Sequence, residues 1–414
     1  MAGSSPETSA ELISFVQLRL FESVGRLRSF RKTSEECNLS QPAVTQALAK
    51  LEQHVGYPLL NRRASGSYLN DSGAIFHRRV SNFVRSVERA LVEIGIPGGE
   101  AAAPIFARRL SRAKIRNLLA IISCVSVQHA AERLSLSQAS LQRAAHELER
   151  NLQCPLFHRT SDGLMVTLAG AQFGRSLQLA MQEIEWGISE IEAALGSFKS
   201  RISIGALPSG GSVLLSSVLE EFIADYPQVE VRIINENAAA MMKTLRDGAV
   251  DFVIGLAQQN VPPDLTVEHL ARTPYAIAVR RGHELLYKDK ITAEDLLKYD
   301  WVIGLNGSCR RACFESLFAR IGRPRAQITS STLGVTRQLL EYSERLTLMT
   351  SFELQHETNR LVPLPFGPLE PVASMGVTMR ANWNRMALHD HFIELLRRRI
   401  AQFSSPQLVT KLLG

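Results

Sequence analysis

Two stretches of this sequence lie over one another without a gap: SQPAVTQALAKLEQHVGYPLLNR, Ser40 to Arg62, and SQASLQRAAHELERNLQCPLFHR, Ser137 to Arg159. The offset is 97 and 8 of the 23 positions are identical, where unrelated sequences share roughly one or two. The register holds beyond both ends. Arg19, Ser29, Glu35 and Leu39 recur upstream as Arg116, Ser126, Glu132 and Leu136; Gly66, Gly73, Ala74, Phe76 and Arg78 recur downstream as Gly163, Gly170, Ala171, Phe173 and Arg175. The unit is duplicated.

Each copy reads as short helices, a turn pair and then a long helix. In the first, Ser40 is a natural N-cap, Pro42 suits the first turn, and Val44, Leu48 and Leu51 fall at helical spacing. Gly56 and Pro58 end that helix. The Gly/Ser-containing stretch from Arg63 to Asn70 is turn-like, with Tyr68 and Leu69 suited to a small strand. From Ser72 a helix carries Phe76, Val80, Phe83, Val84, Val87, Leu91 and Ile94 along one stripe. Phe173, Leu177, Met181, Ile184, Ile188, Ile191 and Leu195 repeat that stripe in the second copy. Both helices exceed 20 residues, and two long apolar stripes of this kind want a partner helix. Pro97-Gly98-Gly99 and the alanines up to Pro104 read as the linker between copies.

Beyond Gly196–Ser200 the pattern changes. Strand candidates are 201–206, 231–234, 251–256, 275–280, 301–305 and 346–349, alternating with helical patterns at 213–225, 238–246, 312–321 and 335–342. That rhythm predicts an α/β region with mostly parallel sheets, and about 200 residues suit two small lobes.

Composition narrows the class. The 414 residues are 45% hydrophobic and 21% charged, which excludes a disordered chain, a collagen-like fibre and a small disulfide scaffold. No stretch is apolar over the 18 to 20 residues a membrane span requires. The opening MAGSSPETSAELIS lacks a basic segment followed by an apolar one, so no secretory leader is expected. Five cysteines (37, 124, 154, 309, 313) without metal-ligand spacing point to reduced thiols in a cytoplasmic protein. A net charge of +7 permits an anionic partner without proving one.

A short helix pair followed by a Ser-capped helix is helix-turn-helix logic, in which the second helix enters the major groove by its N-terminal end. Ser40, Gln41, Pro42, Thr45 and Gln46 stand at that end in the first copy, and glutamine pairs bidentately with adenine. Lys50 and Arg62 suit phosphate positioning. The second copy offers Ser137, Gln138, Gln142, Arg143 and Arg159. The copies are unequal: Lys50 becomes Glu147, and the wing carries Ser65 in one copy against Asp162 in the other. A carboxylate near phosphate opposes binding, so copy one is expected to dominate on an asymmetric double-stranded DNA site.

These residues carry a resemblance. Ser40-Gln41-Pro42-Ala43-Val44-Thr45, Leu51-Glu52 and Pro58-Leu59-Leu60-Asn61-Arg62 resemble the winged helix-turn-helix of LysR-type transcriptional regulators. Leu69-Asn70-Asp71-Ser72-Gly73 stands where that family starts its linker helix, and the second copy matches again at Leu148-Glu149, Pro155 to Arg159 and Val166 to Gly170. Ile204 to Pro208, Asp251 to Gly255, and Arg281-Gly282-His283 before Leu285 resemble the family's effector domain, so about residues 12 to 400 are covered. Ordinary members have one DNA-binding unit; this chain has two.

The resemblance implies two all-α winged helix-turn-helix domains with long linker helices (12–96 and 110–196, joined by 97–109). A two-lobed α/β effector domain like a periplasmic binding protein follows over 200–403. It also implies no cofactor, a homo-oligomer, and pairing through linker helices, so that within this one chain the Phe76 stripe is expected to pack against the Phe173 stripe. A small effector, an aromatic or sugar-derived acid, would lie between the lobes. Effector candidates are Ser209, Asn235, Ser308 and Thr332, with Arg310 or Arg311 supplying charge. The N–H groups of the helix after Ser308 suit a carboxylate.

Rival readings are weaker. Cys309 and Cys313 at helical spacing are more often core residues than a redox pair. His389-Asp390-His391 lacks further ligands and reads as a solvated helix start; Arg397-Arg398-Arg399 reads as a solvated helix face. No G-x-S-x-G, G-x-G-x-x-G, P-loop or H-E-x-x-H is present, so no enzyme is expected. The remaining alternative is a solute-binding protein or metabolite sensor whose second helix-turn-helix serves only for packing.

Overall fold

The computed structural model describes residues 9–63, 66–124, 126–160, 163–196, 200–208, 210–258, 261–357 and 359–403. The chain divides into two compact units, Met1–Ser200 and Arg201–Gly414.

The first unit opens with α1 (Ser9–Leu12), α2 (Phe15–Leu27), α3 (Phe30–Cys37) and α4 (Gln41–Val55). A two-stranded wing, β1 (Leu60–Arg63) and β2 (Gly66–Leu69), and the long α5 (Asp71–Glu93) complete the first copy. After α6 (Gly99–Ala107) the succession returns: α7 (Arg112–Ser123), α8 (Val127–Arg133), α9 (Gln138–Leu152), β3 (Phe157–Thr160), β4 (Gly163–Val166) and α10 (Leu168–Ala194). Repeated caps explain the repeated fold. Ser14, Ser29, Ser40 and Asn70 cap α2 to α5, and Ser111, Ser126, Ser137 and Thr167, each 97 residues on, cap α7 to α10. Such a cap satisfies a helix N–H that lacks an intrahelical acceptor.

One carboxylate per copy ties the α4-type helix to its wing. Glu52 accepts the backbone N–H of Leu59 (2.7 Å) and Leu60 (3.1 Å), and Glu149 accepts those of Leu156 (2.8 Å) and Phe157 (2.9 Å). The glutamate of each Leu-Glu pair is therefore a structural acceptor.

The two apolar stripes do pack. Phe76, Val80, Phe83, Val87 and Leu91 of α5 share one core with Phe173, Leu177, Ile184 and Ile191 of α10. The helices run antiparallel, since Arg79 reaches Glu190 while Asn82, further along α5, reaches the earlier Glu183. A Cβ at Gly187 would lie 2.8 Å from the Phe76 ring, so glycine lets the helices approach closely. The segment after Pro97, read as the linker between copies, is itself structured. It forms α6, whose Ala103, Phe106 and Ala107 are buried in the same core; an Ala-rich run with an apolar face gains more from packing than from remaining solvated.

The second unit holds β5 (Arg201–Ala206), α11 (Gly210–Asp225), β6 (Glu230–Asn235), α12 (Ala238–Arg246), β7 (Phe252–Leu256) and β8 (Leu265–Thr273). Then come β9 (Tyr275–Arg280), α13 (Ala293–Leu296), β10 (Trp301–Ile303), α14 (Cys309–Phe318), β11 (Ile328–Thr329), α15 (Leu333–Glu341) and β12 (Leu346–Thr350). The last elements are α16 (Ser351–Gln355), β13 (Leu361–Pro363), β14 (Ala373–Arg380) and α17 (Ala387–Phe403). Two five-stranded sheets result, ordered β6-β5-β7-β14-β8 and β11-β10-β12-β9-β13.

The sheets are mixed, which corrects the mostly parallel expectation. β5 pairs in parallel with β6 and β7, and β10 with β11 and β12, whereas β14, β8, β9 and β13 join antiparallel. The cause is the chain's route between lobes. β8 passes into β9 across Pro274 alone, and β14 brings the chain back to the first sheet.

Candidate nucleic-acid interface and ligand cleft

Helix α4 presents its N-terminal turn to solvent: Ser40, Gln41, Pro42, Gln46 and Lys50 are exposed and Thr45 is half-buried. The Thr45 hydroxyl donates to the Gln41 carbonyl (3.0 Å), so glutamine amides and the lysine are the side chains able to reach outward. Arg62 lies in β1 and Arg159 in β3; Ser65 and Asp162 fall outside the described residues.

The matching turn of α9 is closed on itself. The Ser137 hydroxyl donates to Ser140 Oγ (2.8 Å), and Arg143 bends back to Ser140 Oγ (3.2 Å) and the Ala139 carbonyl (3.4 Å). Glu147, which replaces Lys50, takes Lys114 at 3.1 Å. Gln138 remains exposed and Gln142 is half-buried.

Sequence reading missed the larger asymmetry around these helices. Arg28 ends α2, Arg31 and Lys32 form the first turn of α3, and Arg62-Arg63 lie in β1, whereas copy two has Val125, Gln128, His129 and Arg159-Thr160. Over the matched stretches 28–69 and 125–166, six cations and three acids in copy one stand against four cations and four acids in copy two, a net charge of +3 against 0. The signal lay in the alignment of the two copies at an offset of 97, read for charge as well as identity.

In the second unit a cleft of about 190 Å³ opens at the carboxyl ends of β5, β7 and β10, the place where α/β sheets take ligands. Leu207, Pro208, Leu256 and Leu305 make its walls mainly apolar, while Asn237, Gln258, Ser308, Ser330 and Ser331 add neutral polar groups. Ser308 lines it, but its hydroxyl is occupied, accepting Arg311 N–H (3.2 Å) and donating to the Leu305 carbonyl (2.7 Å). It holds the start of α14 in place. Cys309 and Arg310, the first two residues of α14, point N–H groups that have no acceptor within the helix.

Two of the expected contacts shift. Asn235, the last residue of β6, and Thr332, the N-cap of α15, are not among the described lining residues; their neighbours Asn237 and Ser331 are. Ser209 lies outside the described residues. Arg310 does line the cleft, yet its guanidinium reaches Glu353 at 2.7 Å, and Glu353 is fully buried and further held by Thr350 N–H (2.8 Å) and Oγ1 (3.0 Å). That charge is neutralised from the far side. Arg311 pairs with Glu315 at 2.6 Å and is not a lining residue.

The other singled-out groups are structural. Burial pushes the Cys309 thiol up, and burial with the nearby Glu370 pushes Cys313 up to about 12, the opposite of an activated thiolate. His389 is no solvated helix start: it is fully buried, its Nδ1 accepts Met386 N–H (3.1 Å), and its ring lies against Trp383. His391 reaches Asp225 at 2.9 Å. The terminal arginines are also engaged, Arg397 with Glu268 (2.6 Å) and Arg398 with Glu221 (3.3 Å). No group of three metal-ligating side chains occurs among the described residues, and no helix there is long and apolar enough to cross a membrane.

Two capped helix-turn-helix units with wings, set before a two-lobed cleft-bearing domain, define a DNA-binding protein that responds to a small molecule. The family model for the lysR family of bacterial regulatory helix-turn-helix proteins matches twice, at residues 15–74 and 113–171, and the LysR substrate binding domain matches residues 196–401. The HTH-type transcriptional regulator GalR of Pseudomonas putida is 30% identical over 377 residues, 90% of this chain and 93% of that protein. Among solved structures, a full-length OxyR variant from Pseudomonas aeruginosa is 19% identical with a TM-score of 0.49, covering 69% of this chain and 94% of its own. Full-length CbnR in complex with its target DNA is 16% identical with a TM-score of 0.40, over 69% and 98%. This chain belongs to the LysR family of transcriptional regulators: it is a DNA-binding regulator with an effector-binding domain, not an enzyme.

Proposed function

We propose that the two reading units are unequal partners on one composite DNA site, with α4 supplying most of the grip and α9 a weaker contact. The uneven distribution of cations around the two helices carries this reading, and the inward fold of Arg143 supports it. Phosphate neutralisation supplies most of the affinity of such interfaces. Base reading falls to Gln41 and Gln46, with Gln138 as the counterpart in the second copy. The protein acts as a homo-oligomer in the cytoplasm, where its DNA target lies. Footprinting tests the inequality. Gln41→Ala is expected to weaken protection about 10-fold over one half-site, the loss of one bidentate base contact, while Gln138→Ala changes the other half-site less than threefold. Equal losses from both would defeat it.

For the cleft we infer an aromatic acid as effector. Its ring would lie against Leu207, Pro208 and Leu256, and its carboxylate would meet the N–H groups of Cys309 and Arg310 at the start of α14. With Arg310 committed to Glu353, hydrogen bonds at the helix start, rather than a free guanidinium, would hold the anion. Calorimetry with a hydroxybenzoic acid and with a sugar acid checks this. The aromatic acid is expected to bind at least 10-fold more tightly. Ala238→Trp, which fills the cleft from the start of α12, is expected to abolish that binding while DNA affinity without effector stays unchanged. Tighter binding of the sugar acid, or an unaffected Trp variant, would remove the assignment.

A further inference from the structure

The seam between α5 and α10 repeats its apolar residues but not its charges. Arg79 is 2% exposed and sits between Glu183 (7%) and Glu190 (14%), both on α10. Its Nη1 donates to Glu183 Oε2 at 3.0 Å and its Nε to Glu190 Oε2 at 3.1 Å. Asn82 adds a donor to Glu183 (3.3 Å) and Arg78 one to Glu190 (2.7 Å). Burial opposes ionisation at both ends, yet hydrogen bonding and mutual attraction keep the guanidinium above its ordinary pKa and the Glu190 carboxylate below its own. The positions 97 residues away hold no such set. Arg79, whose guanidinium lies 5.5 Å from the Trp186 ring, is matched by Ser176, Glu183 by Ser86 and Trp186 by Arg89; Arg78 recurs as Arg175, and Glu190 has an acidic counterpart in the exposed Glu93.

A symmetric helix pair would make every contact twice. Here the ionic contact occurs once, and its chemistry depends on which copies meet. Copy one against copy one would set Arg79 opposite Ser86 and Glu93, so each buried guanidinium would keep one carboxylate and lose the one that Glu183 supplies here. Copy two against copy two would set Ser176 opposite Glu183 and Glu190, leaving Glu183 without its cation and Glu190 with only Arg175, the counterpart of Arg78. Removing one partner of a buried ion pair costs far more than the pair itself gains, so such a group selects among pairings more than it adds stability.

We propose that Arg79, Glu183 and Glu190 are the pairing-specificity residues of this seam and commit copy one to copy two. The tether through α6 places the two copies of one chain within reach of each other, so the chain forms its own reading pair. One polypeptide then presents two unlike units side by side, and a palindrome of two copy-one half-sites is disfavoured. The pairing rests on the seam alone; its consequence for the DNA site rests on the reading of α4 and α9 proposed above.

Complementation in full-length chains tests the pairing apart from DNA. Arg79→Ser is expected to lower the melting temperature by about 10 °C, as loss of a buried ionic partner does, and the chain carrying both Glu183→Ser and Glu190→Ser behaves likewise. Combining all three changes in one chain restores most of the loss, because no buried charge remains unpaired. Co-refolding equal amounts of the Arg79→Ser chain and the doubly substituted chain rebuilds one native ionic set by exchange, giving a mixed species by native mass spectrometry that melts near the wild-type temperature. A mixture that melts as the sum of its parts, or a triple variant no more stable than Arg79→Ser, would overturn the proposal. Loss of DNA binding with the melting behaviour as described would count only against the DNA reading.

Discussion

Glutamine at positions 31, 32 and 50 together is expected to weaken binding to a cognate duplex about 100-fold at 0.15 M salt, and to reduce the slope of log affinity against log salt by about 2.7. Each phosphate neutralised by a cation releases roughly 0.9 of a condensed counterion, so three lost contacts set both figures. Arg31, Lys32 and Lys50 are all exposed, in the first turn of α3 and along α4. The Arg31–Glu35 pair at 3.1 Å does not exclude a phosphate role, since an exposed pair of this kind is worth a few tenths of a kcal/mol. Lysine placed at the corresponding positions 128, 129 and 147 should act in the opposite sense, raising affinity and steepening the slope. The measurement is a salt titration by fluorescence anisotropy. A slope unchanged by the glutamine triple would show that these cations do not face phosphate, and the asymmetry of the two units would lose its basis.

Local signals in this sequence proved reliable and non-local ones did not. Both reading units were legible because their caps, helix ends and apolar stripes all lie within a few residues of the elements they shape, and because a second copy confirms each. The strand reading at 275–280 matches β9, and the helix reading at 238–246 matches α12. β8 and β14 were missed. Residues 265–273 carry Glu268, His269 and Arg272, and 373–380 contain Ser374 and Gly376, so neither shows an apolar run. They become strands because each completes the other's hydrogen bonds across about 110 residues of chain. Their antiparallel pairing with each other is the part of the topology that periodicity does not reveal.

The cleft shows the same division. Its loops were found, but the facing side chains were displaced by one or two residues, Asn237 for Asn235 and Ser331 for Thr332. Which side of a loop faces a cavity depends on packing behind it. The committed state of Arg310 depends on Glu353, 43 positions away, and no spacing rule links them. Likewise the family resemblance implied that the stripes of α5 and α10 would meet, while the one-sided Arg79 set appears only when the helices are placed antiparallel.

Gly73→Ala is expected to destabilise the first unit by about 2 kcal/mol, and Gly170→Ala the same unit through the second copy. Helix propensity alone predicts the reverse, a gain of about 1 kcal/mol for each. Both glycines lie in the first turn of a long helix, where an alanine would ordinarily be welcome. The obstacle is the chain entering the wing. A Cβ at Gly73 would stand 2.0 Å from the Leu59 carbonyl oxygen, and one at Gly170 2.3 Å from that of Leu156. Those carbonyls cannot retreat freely, because they accept the N–H of Asn70 (3.1 Å) and Thr167 (2.8 Å), the caps of the same helices. The N–H groups of Leu59 and Leu156 are held in turn by Glu52 and Glu149. Relief therefore requires moving the start of α5 or α10 away from its wing, an overpacking cost of about 3 kcal/mol that exceeds the propensity gain. Thermal unfolding decides the matter by sign: a melting temperature that rises with either alanine would mean that the wing and the long helix are not locked together, and that the spacing of reading helix to pairing seam is set elsewhere.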